Sequence, residues 1–176
     1  MTVSNNTSVT YPIQQQATII AGFGRGSSEL GIPTANIPIN TELNKLEPGI
    51  YYGWCKLIPL TAQCDEIKKR VDGKDVLFNH GNELTNEERD IFPMVMSIGW
   101  NPYYHNKDKT AEVHIIHKFQ KNFYGSKIEY VVLGYIRPEL NFDSIDELID
   151  TINSDIEFAK LKLKSDEDSG KEYFTK

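Results

Sequence analysis

Two side chains at alternate positions, Thr34 and Asn36 in the stretch PTAN, could together hold a metal ion. Pro33 fixes the start of an extended segment and disfavours helix at the residue before it. Side chains two residues apart on an extended chain project to the same side, which brings a hydroxyl oxygen and an amide oxygen together. Mg²⁺ prefers such oxygen ligands and completes its coordination with phosphate and water. Taken alone, the pair could equally cap a turn, which is a commoner role for these residue types.

A glycine-rich stretch, GFGRGSS, lies shortly before this pair. Its glycines can adopt positive φ and expose backbone N–H groups to an anion, and the arginine and serines add donors. The spacing matches neither the P-loop nor the helix-opening dinucleotide fingerprint. The residues alone therefore leave two interpretations open, a phosphate-binding loop and a flexible hairpin turn. The candidate phosphate ligands are Gly22, Gly24, Arg25, Gly26, Ser27 and Ser28.

A carboxylate and two histidines occur close together in AEVHIIH. Glu112 could accept a proton from an attacking hydroxyl group, although an exposed strand carboxylate is the simpler interpretation of this residue alone. His114 and His117 are three residues apart and would face opposite sides of a regular strand, so we do not expect them to share one ion. His114 would share the face of Glu112 and either orient it or be a satisfied core histidine.

The elements that must carry these side chains are mainly short strands. Apolar, aromatic and β-branched runs bounded by turn residues predict strands within residues 14–24, 49–60, 93–100, 110–119 and 126–137. No helical pattern separates them, which favours a small antiparallel barrel.

The C-terminal part has a different period. Residues 143–164 carry apolar side chains at helical spacing, with Asp143 or Ser144 as the N-cap, and this helix should lay its apolar stripe on the barrel. The predicted stripe contains Ile145, Leu148, Ile149, Ile152, Ile156, Ala159 and Leu163.

These patterns divide the chain into a flexible N-terminal segment (1–12), a barrel domain (13–164) and a polar C-terminal tail (165–176). Within the barrel domain, residues 61–92 are rich in charge and low in periodicity. We expect a surface insertion there between two barrel strands, with a short helix near residues 86–92.

Composition limits the partners. The formal net charge is −6, which disfavours general binding to nucleic acid or to an anionic membrane. The N-terminus lacks the features of a secretory signal, and no apolar run is long enough to span a bilayer. We therefore expect a cytoplasmic protein, with association of a fraction with an organelle as an alternative. We also expect a monomer, although no sequence pattern specifies the oligomeric state.

Five motifs occur in order along the chain: GFGRGSSELGIPTAN, GIYYGW, SIGWNPYY, EVHIIHKFQKNFYG and LGYIRPELNFDSIDELI. Together they resemble the riboflavin kinase family (ATP:riboflavin 5′-phosphotransferase), monofunctional eukaryotic type, over residues 13–163 apart from the insertion. The resemblance implies a six-stranded antiparallel Greek-key barrel with a C-terminal α-helix packed on it. It also implies transfer of the γ-phosphoryl group of MgATP to the 5′-hydroxyl of riboflavin, giving FMN and ADP.

The same resemblance implies roles for individual residues. The Gly22–Gly26 loop and Thr34 would bind the ATP phosphates, and Thr34 and Asn36 would hold the divalent ion, usually Mg²⁺ with Zn²⁺ as an alternative. Glu112 would be the catalytic base. Further nucleotide contacts would come from His117 and Tyr124.

The flavin ring requires a flat apolar slot. By resemblance, Arg137 belongs to a mobile flap over the flavin; a surface salt bridge with Glu139 is the alternative. Tyr104 is the predicted aromatic contact, although most aromatic candidates should be ordinary barrel core. These candidates are Tyr51, Tyr52, Trp54, Trp100, Tyr103 and Tyr104.

Two other functions would use a similar barrel. A flavin-binding barrel without kinase activity would need neither PTAN nor Glu112, and its flavin binding would be indifferent to ATP. An OB-like barrel for single-stranded nucleic acid would need a basic groove, which the net charge argues against.

Overall fold

The computed structural model describes residues 10–20, 34–69, 73–100, 109–119, 123–164 and 172–174. The predicted phosphate ligands Gly22, Gly24, Arg25, Gly26 and Ser28, and the predicted flavin contact Tyr104, lie outside these ranges. Within them the elements are β1 (Ile13–Thr18), β2 (Thr34–Ile37), α1 (Thr41–Asn44), β3 (Gly49–Ile58), β4 (Glu66–Lys69), β5 (Asp75–Phe78), β6 (Ile91–Trp100), β7 (Lys109–Ile115), β8 (Lys127–Arg137) and α2 (Ile145–Lys164).

Six of these strands form one curled antiparallel sheet in the order β1-β8-β3-β6-β7-β2. The run β8-β3-β6-β7 is a Greek key, because β3, β6 and β7 follow one another and β8 returns beside β3. The two outer strands meet where the backbone N–H of Ile20 donates to the carbonyl of Asn36 at 2.9 Å. The predicted fold class, a Greek-key barrel with a C-terminal helix, is confirmed.

Side chains alternate between the two faces of the sheet, as the strand period requires. The inner face forms the main core, which contains Tyr51 and Cys55 of β3, Met96 of β6 and Tyr130 of β8. On the outer face, α2 covers β3 and β6, where Trp54 and Val131 pack with Leu163, and Ile50 and Val95 pack with Ala159. Full burial of a side chain such as Leu163 contributes about 1.5–3 kcal/mol, so this contact anchors the helix.

Helix α2 begins after Ser144, whose hydroxyl oxygen accepts a hydrogen bond from the backbone N–H of Glu147 at 3.1 Å. Of the two predicted N-caps, Ser144 is therefore the one used. The predicted stripe is correct from Leu148 to Leu163 but wrong for Ile145, which is 62% exposed. The buried residues of α2 all lie in its second half, so the apolar pattern begins about two turns before the buried part of the helix.

The insertion between β3 and β6 is more ordered than predicted. It contains the antiparallel hairpin β4–β5 and a single 3-10 turn at Glu87–Arg89. The short helix predicted for residues 86–92 is confirmed only as that turn, because Ile91 and Phe92 begin β6. All four residues of β4 are exposed and show no apolar alternation, which is why sequence periodicity misses the hairpin. Its base, residues 78–81, is buried.

The end of the chain also packs more than a polar tail would. Tyr173 and Phe174 are half-buried against the Trp54 cluster, and the side-chain amide of Gln14 donates to the carbonyl of Tyr173. In the described ranges, no helix combines the length and the apolar character needed to cross a membrane.

Candidate active site

The pairing of β2 with β7 brings together three of the predicted site residues. Asn36 lies directly opposite Glu112, and Thr34 directly opposite His114. Directly opposed side chains in an antiparallel pair have Cβ atoms about 4.5–5.5 Å apart. The intervening residues of both strands belong to the inner core, so these four side chains all project from the outer face. Thr34 and Asn36 therefore share one side of β2, as their spacing predicts.

Glu112 has a neighbour on its own strand. The Nε2 atom of His114 lies 3.5 Å from the Oε1 atom of Glu112. The Glu112 side chain is 37% exposed, whereas that of His114 is only 9% exposed. The Nδ1 atom of His114 is buried and has no hydrogen-bond partner among the described residues. Of the two predicted roles for His114, the contact favours orientation of Glu112 over a satisfied core histidine.

His117 lies beyond the end of β7 and points elsewhere. Its ring stacks on Phe92, with centroids 4.1 Å apart and planes 21° apart, and meets Phe119 edge-on at 5.0 Å. Because His114 contacts Glu112 instead, the H-x-x-H pair does not converge on one point. No three His, Cys, Asp or Glu side chains come together as a metal-binding group within the described part of the chain.

Tyr124, the second predicted nucleotide contact, lies in the turn that precedes β8. Its ring stacks on Phe78 at the end of β5, with centroids 5.6 Å apart and planes 25° apart. Tyr124 is half-buried, so part of its ring faces outward. The preceding residue, Phe123, meets Phe119 at 4.9 Å, which connects the surroundings of Tyr124 with those of His117.

Arg137 ends β8 and is bound to α2. Its guanidinium donates from Nε and Nη2 to the two carboxylate oxygens of Asp155, at 2.9 and 2.8 Å. A third donor, Nη1, reaches the carbonyl of Pro138 at 2.9 Å. The alternative partner Glu139 instead lies against β6, where a Cβ added to Gly99 would come within 1.7 Å of its carboxylate. Burial there raises the pKa of the Glu139 carboxyl.

One row of residues crosses the outer face from the paired strands to Arg137. The strand registers place Glu112 opposite Ser97, Ser97 opposite Ile50, and Ile50 opposite Arg137. Adjacent strands lie about 4.8 Å apart, so roughly 14 Å of sheet separates Glu112 from Arg137. Glu112 and Arg137, the predicted base and one predicted flavin contact, thus lie at the two ends of one row.

The aromatic candidates for a flavin slot divide by environment. Tyr51 is 2% exposed inside the barrel, and Trp54 is buried under α2. Tyr52 is half-buried and meets Phe158 of α2 edge-on at 6.1 Å. As the sequence suggests, these side chains belong mainly to packing.

Sequence reasoning missed three side chains beside the predicted residues: Asp155, Phe78 and Phe92. Asp155 had a detectable signal, because it interrupts the apolar stripe between Ile152 and Ile156. The two phenylalanines had none, since their ring contacts join segments far apart in sequence.

Comparisons with known proteins point to one family. The family model described as "Flavokinase: Riboflavin kinase" matches residues 9–163. The riboflavin kinase of Meyerozyma guilliermondii is 61% identical over 153 residues, covering 87% of this chain and 84% of that protein. The riboflavin kinase of Lodderomyces elongisporus is 57% identical over 158 residues, covering 90% and 87%. The crystal structure of riboflavin kinase from Trypanosoma brucei superimposes with a TM-score of 0.58 at 26% identity, covering 88% of this chain and 82% of that one. The chain belongs to the riboflavin kinase family.

Proposed function

We propose that Glu112 is the general base of this enzyme and that Thr34 and Asn36 hold the divalent cation beside it. As a member of its family, the protein phosphorylates riboflavin with ATP, giving FMN. The observation that carries the residue assignment is the register of β2 against β7, which sets Asn36 directly opposite Glu112.

The donor set fits a hard cation. Thr34 and Asn36 offer two neutral oxygens on one side of β2, and Mg²⁺ commonly takes few protein ligands together with phosphate oxygens and water. Zinc prefers nitrogen and sulfur ligands, so these residues favour Mg²⁺ over the alternative Zn²⁺. Held by Thr34 and Asn36, the cation would offset the negative charge of the ATP phosphates.

Glu112 would accept the proton of the attacking hydroxyl group. The 5′-hydroxyl oxygen of riboflavin forms a bond to the γ-phosphorus while the bond between that phosphorus and the β–γ bridging oxygen breaks. ADP leaves, and the hydroxyl proton passes to the Glu112 carboxylate. The adjacent ring of His114, 3.5 Å away, limits the directions in which that carboxylate points.

Riboflavin would place its ribityl end at Glu112 and its ring near Arg137, at the other end of the outer row. Ile50, between them, packs with Ala159 of α2, so it would not contact the ring. The pair with Asp155 leaves Arg137 with unused N–H groups that can donate to the flavin. Tyr104 remains the proposed aromatic contact.

The nucleotide would bind at the other side of Glu112. The rings of His117 and Tyr124 would contact the base or sugar of ATP. The phosphates would meet Thr34 and the backbone N–H groups of the glycine-rich loop. Within that loop, the proposed ligands are Gly22, Gly24, Arg25, Gly26 and Ser28.

The test is a direct assay with a matched carboxylate control. Purified wild-type protein, Glu112→Gln and Glu129→Gln are incubated with riboflavin, ATP and Mg²⁺, and the flavins are separated by chromatography. Glu129 is a half-exposed strand carboxylate on β8, away from β2 and β7. We expect FMN from the wild type and Glu129→Gln, and little from Glu112→Gln although it still binds riboflavin. FMN at the normal rate from Glu112→Gln would remove this residue from the base role, and flavin binding without FMN from any of the three would favour a non-catalytic flavin barrel.

A further inference from the structure

The insertion between β3 and β6 ends in a buried base that belongs to the barrel. Phe78, Asn79 and His80 are only 7%, 3% and 6% exposed, whereas β4 of the same hairpin is exposed throughout. The backbone N–H of Leu60 donates to the carbonyl of His80 at 2.9 Å, which ties this base to the end of β3. The base of the hairpin therefore packs into the barrel, while β4 remains exposed.

This base fits closely against the turn that holds Tyr124. The Phe78 ring stacks on the Tyr124 ring, and the backbone N–H of His80 donates to the carbonyl of Tyr124 at 2.9 Å. Gly125 has φ +86°, and an added Cβ would come within 2.5 Å of His80 Nδ1 and 3.2 Å of Phe78 Cδ2. Only glycine allows both this backbone conformation and this approach.

The same turn continues to the proposed cation site. The backbone N–H of Gly125 donates to the carbonyl of Ile19 at 3.0 Å, and the N–H of Ile19 donates to the carbonyl of Ser126 at 2.9 Å. The next residue, Ile20, is bonded to Asn36. A chain of direct contacts thus joins the hairpin base, the Tyr124 turn and β2.

Two side chains of the hairpin lie close to Phe78 and His80. The Lys68 ammonium group lies 4.8 Å from the centroid of the Phe78 ring. Glu66 Oε1 lies 3.3 Å from His80 Nε2. Both partners belong to β4, so the position of the Phe78 ring depends on the hairpin being formed.

We propose that Phe78 is a positioning residue for ATP, and that the insertion is a working part of the nucleotide site. Phe78 holds one face of the Tyr124 ring, which fixes the plane that Tyr124 presents to the nucleotide. This inference rests on the proposed function, in which Tyr124 contacts ATP.

Phe78→Leu tests it, because leucine keeps an apolar side chain but removes the ring stack. A stacked aromatic pair corresponds to a change in binding of about two- to tenfold. We expect the KM for ATP to rise by about this factor, while kcat, the KM for riboflavin and the melting temperature stay near wild-type values. Phe78→Tyr should restore the KM for ATP. Leu77→Ser, on the adjacent, 43% exposed position of β5, should leave both KM values unchanged.

A double variant tests the route through Tyr124. In a Tyr124→Leu background, Phe78→Leu should produce no further rise in the KM for ATP, because the ring that it positions is gone. An unchanged KM for ATP in Phe78→Leu would overturn the proposal while FMN formation by the wild type upheld the kinase. Equal rises in both KM values with a lower melting temperature would also overturn it, since they would indicate a general loss of structure.

Discussion

Asn36 and Glu112 are neutral and acidic oxygen donors held opposite each other on the outer face of a barrel. In the proposed mechanism this opposition divides the chemistry between two neighbouring strands, with the cation ligands on β2 and the proton acceptor on β7. The division can be tested one side chain at a time.

Removing the amide oxygen should weaken cation binding. We expect Asn36→Ala to raise the Mg²⁺ concentration for half-maximal activity by about tenfold, the usual scale for a lost contact to a charged group. A titration of initial rate against Mg²⁺ at saturating ATP measures this change. Asn153→Ala, at an exposed position of α2, is the matched control. The same titration curve for wild type and Asn36→Ala would remove Asn36 as a ligand.

Replacing His114 should lower the turnover number. His114→Gln loses the ring that lies against Glu112, so we expect kcat to fall by about threefold to tenfold, the scale of one lost polar contact, with both KM values nearly unchanged. Steady-state kinetics with each substrate varied in turn separate these quantities. A fall in substrate affinity without a change in kcat would contradict an orienting role.

At the scale of elements, the pair between Arg137 and Asp155 joins the last barrel strand to α2. Asp155 is 5% exposed and both its oxygens accept from the guanidinium. Because breaking a buried pair leaves an uncompensated charge, we expect Asp155→Ala to lower the free energy of unfolding by about 3 kcal/mol. Urea unfolding measures it, with Asp150→Ala on the exposed face of α2 as the control. Equal destabilisation by the two variants would show that the pair contributes little.

The elements themselves were largely accessible from the sequence. Alternation and β-branched runs predict five of the barrel strands, and the spacing of apolar residues predicts α2, because these signals report one buried face each. The hairpin β4–β5 escapes such reasoning, since β4 buries no face. Ile145 shows the opposite error, an apolar residue predicted to be buried that is exposed, because an apolar pattern does not reveal where the helix loses contact with the sheet.

At the scale of the whole molecule, the site depends on the register between distant strands, which the sequence pattern does not specify. Thr34 and Asn36 could be paired from local spacing alone, but their position opposite His114 and Glu112 depends on how two distant strands align. The row from Glu112 to Arg137 likewise requires the order of four strands. Only the resemblance to the family predicts the Greek-key order, because strand lengths do not specify it.

The barrel interior makes stability sensitive to alkaline pH. Burial raises the pKa of Tyr130 from 10.0 to about 12, and the hydrogen bond from Asn40 lowers it by less. Because the folded pKa lies above the unfolded one, this stabilisation is complete below pH 10 and is lost as pH rises toward 12. We expect about 2 kcal/mol of stability to disappear over that interval, in addition to the effect of buried Tyr51. Urea unfolding at a series of pH values measures the slope, which should be shallower in Tyr130→Phe; an unchanged slope would assign it to other groups.

The bridge between Ile20 and Asn36 connects the joint between the two outer strands with the proposed cation site. Asn36 supplies its backbone carbonyl to the joint between the two outer strands and its side-chain amide to the proposed cation site. If cation and nucleotide bind only while the Ile20–Asn36 hydrogen bond is formed, the equilibrium constant for breaking that bond falls by the factor 1 + [L]/Kd, where [L] is the ligand concentration. The hydrogen on the Ile20 nitrogen should therefore exchange with solvent more slowly as Mg²⁺ and nucleotide bind. Its exchange rate would report, at a single peptide group, how much of the enzyme is loaded before riboflavin arrives.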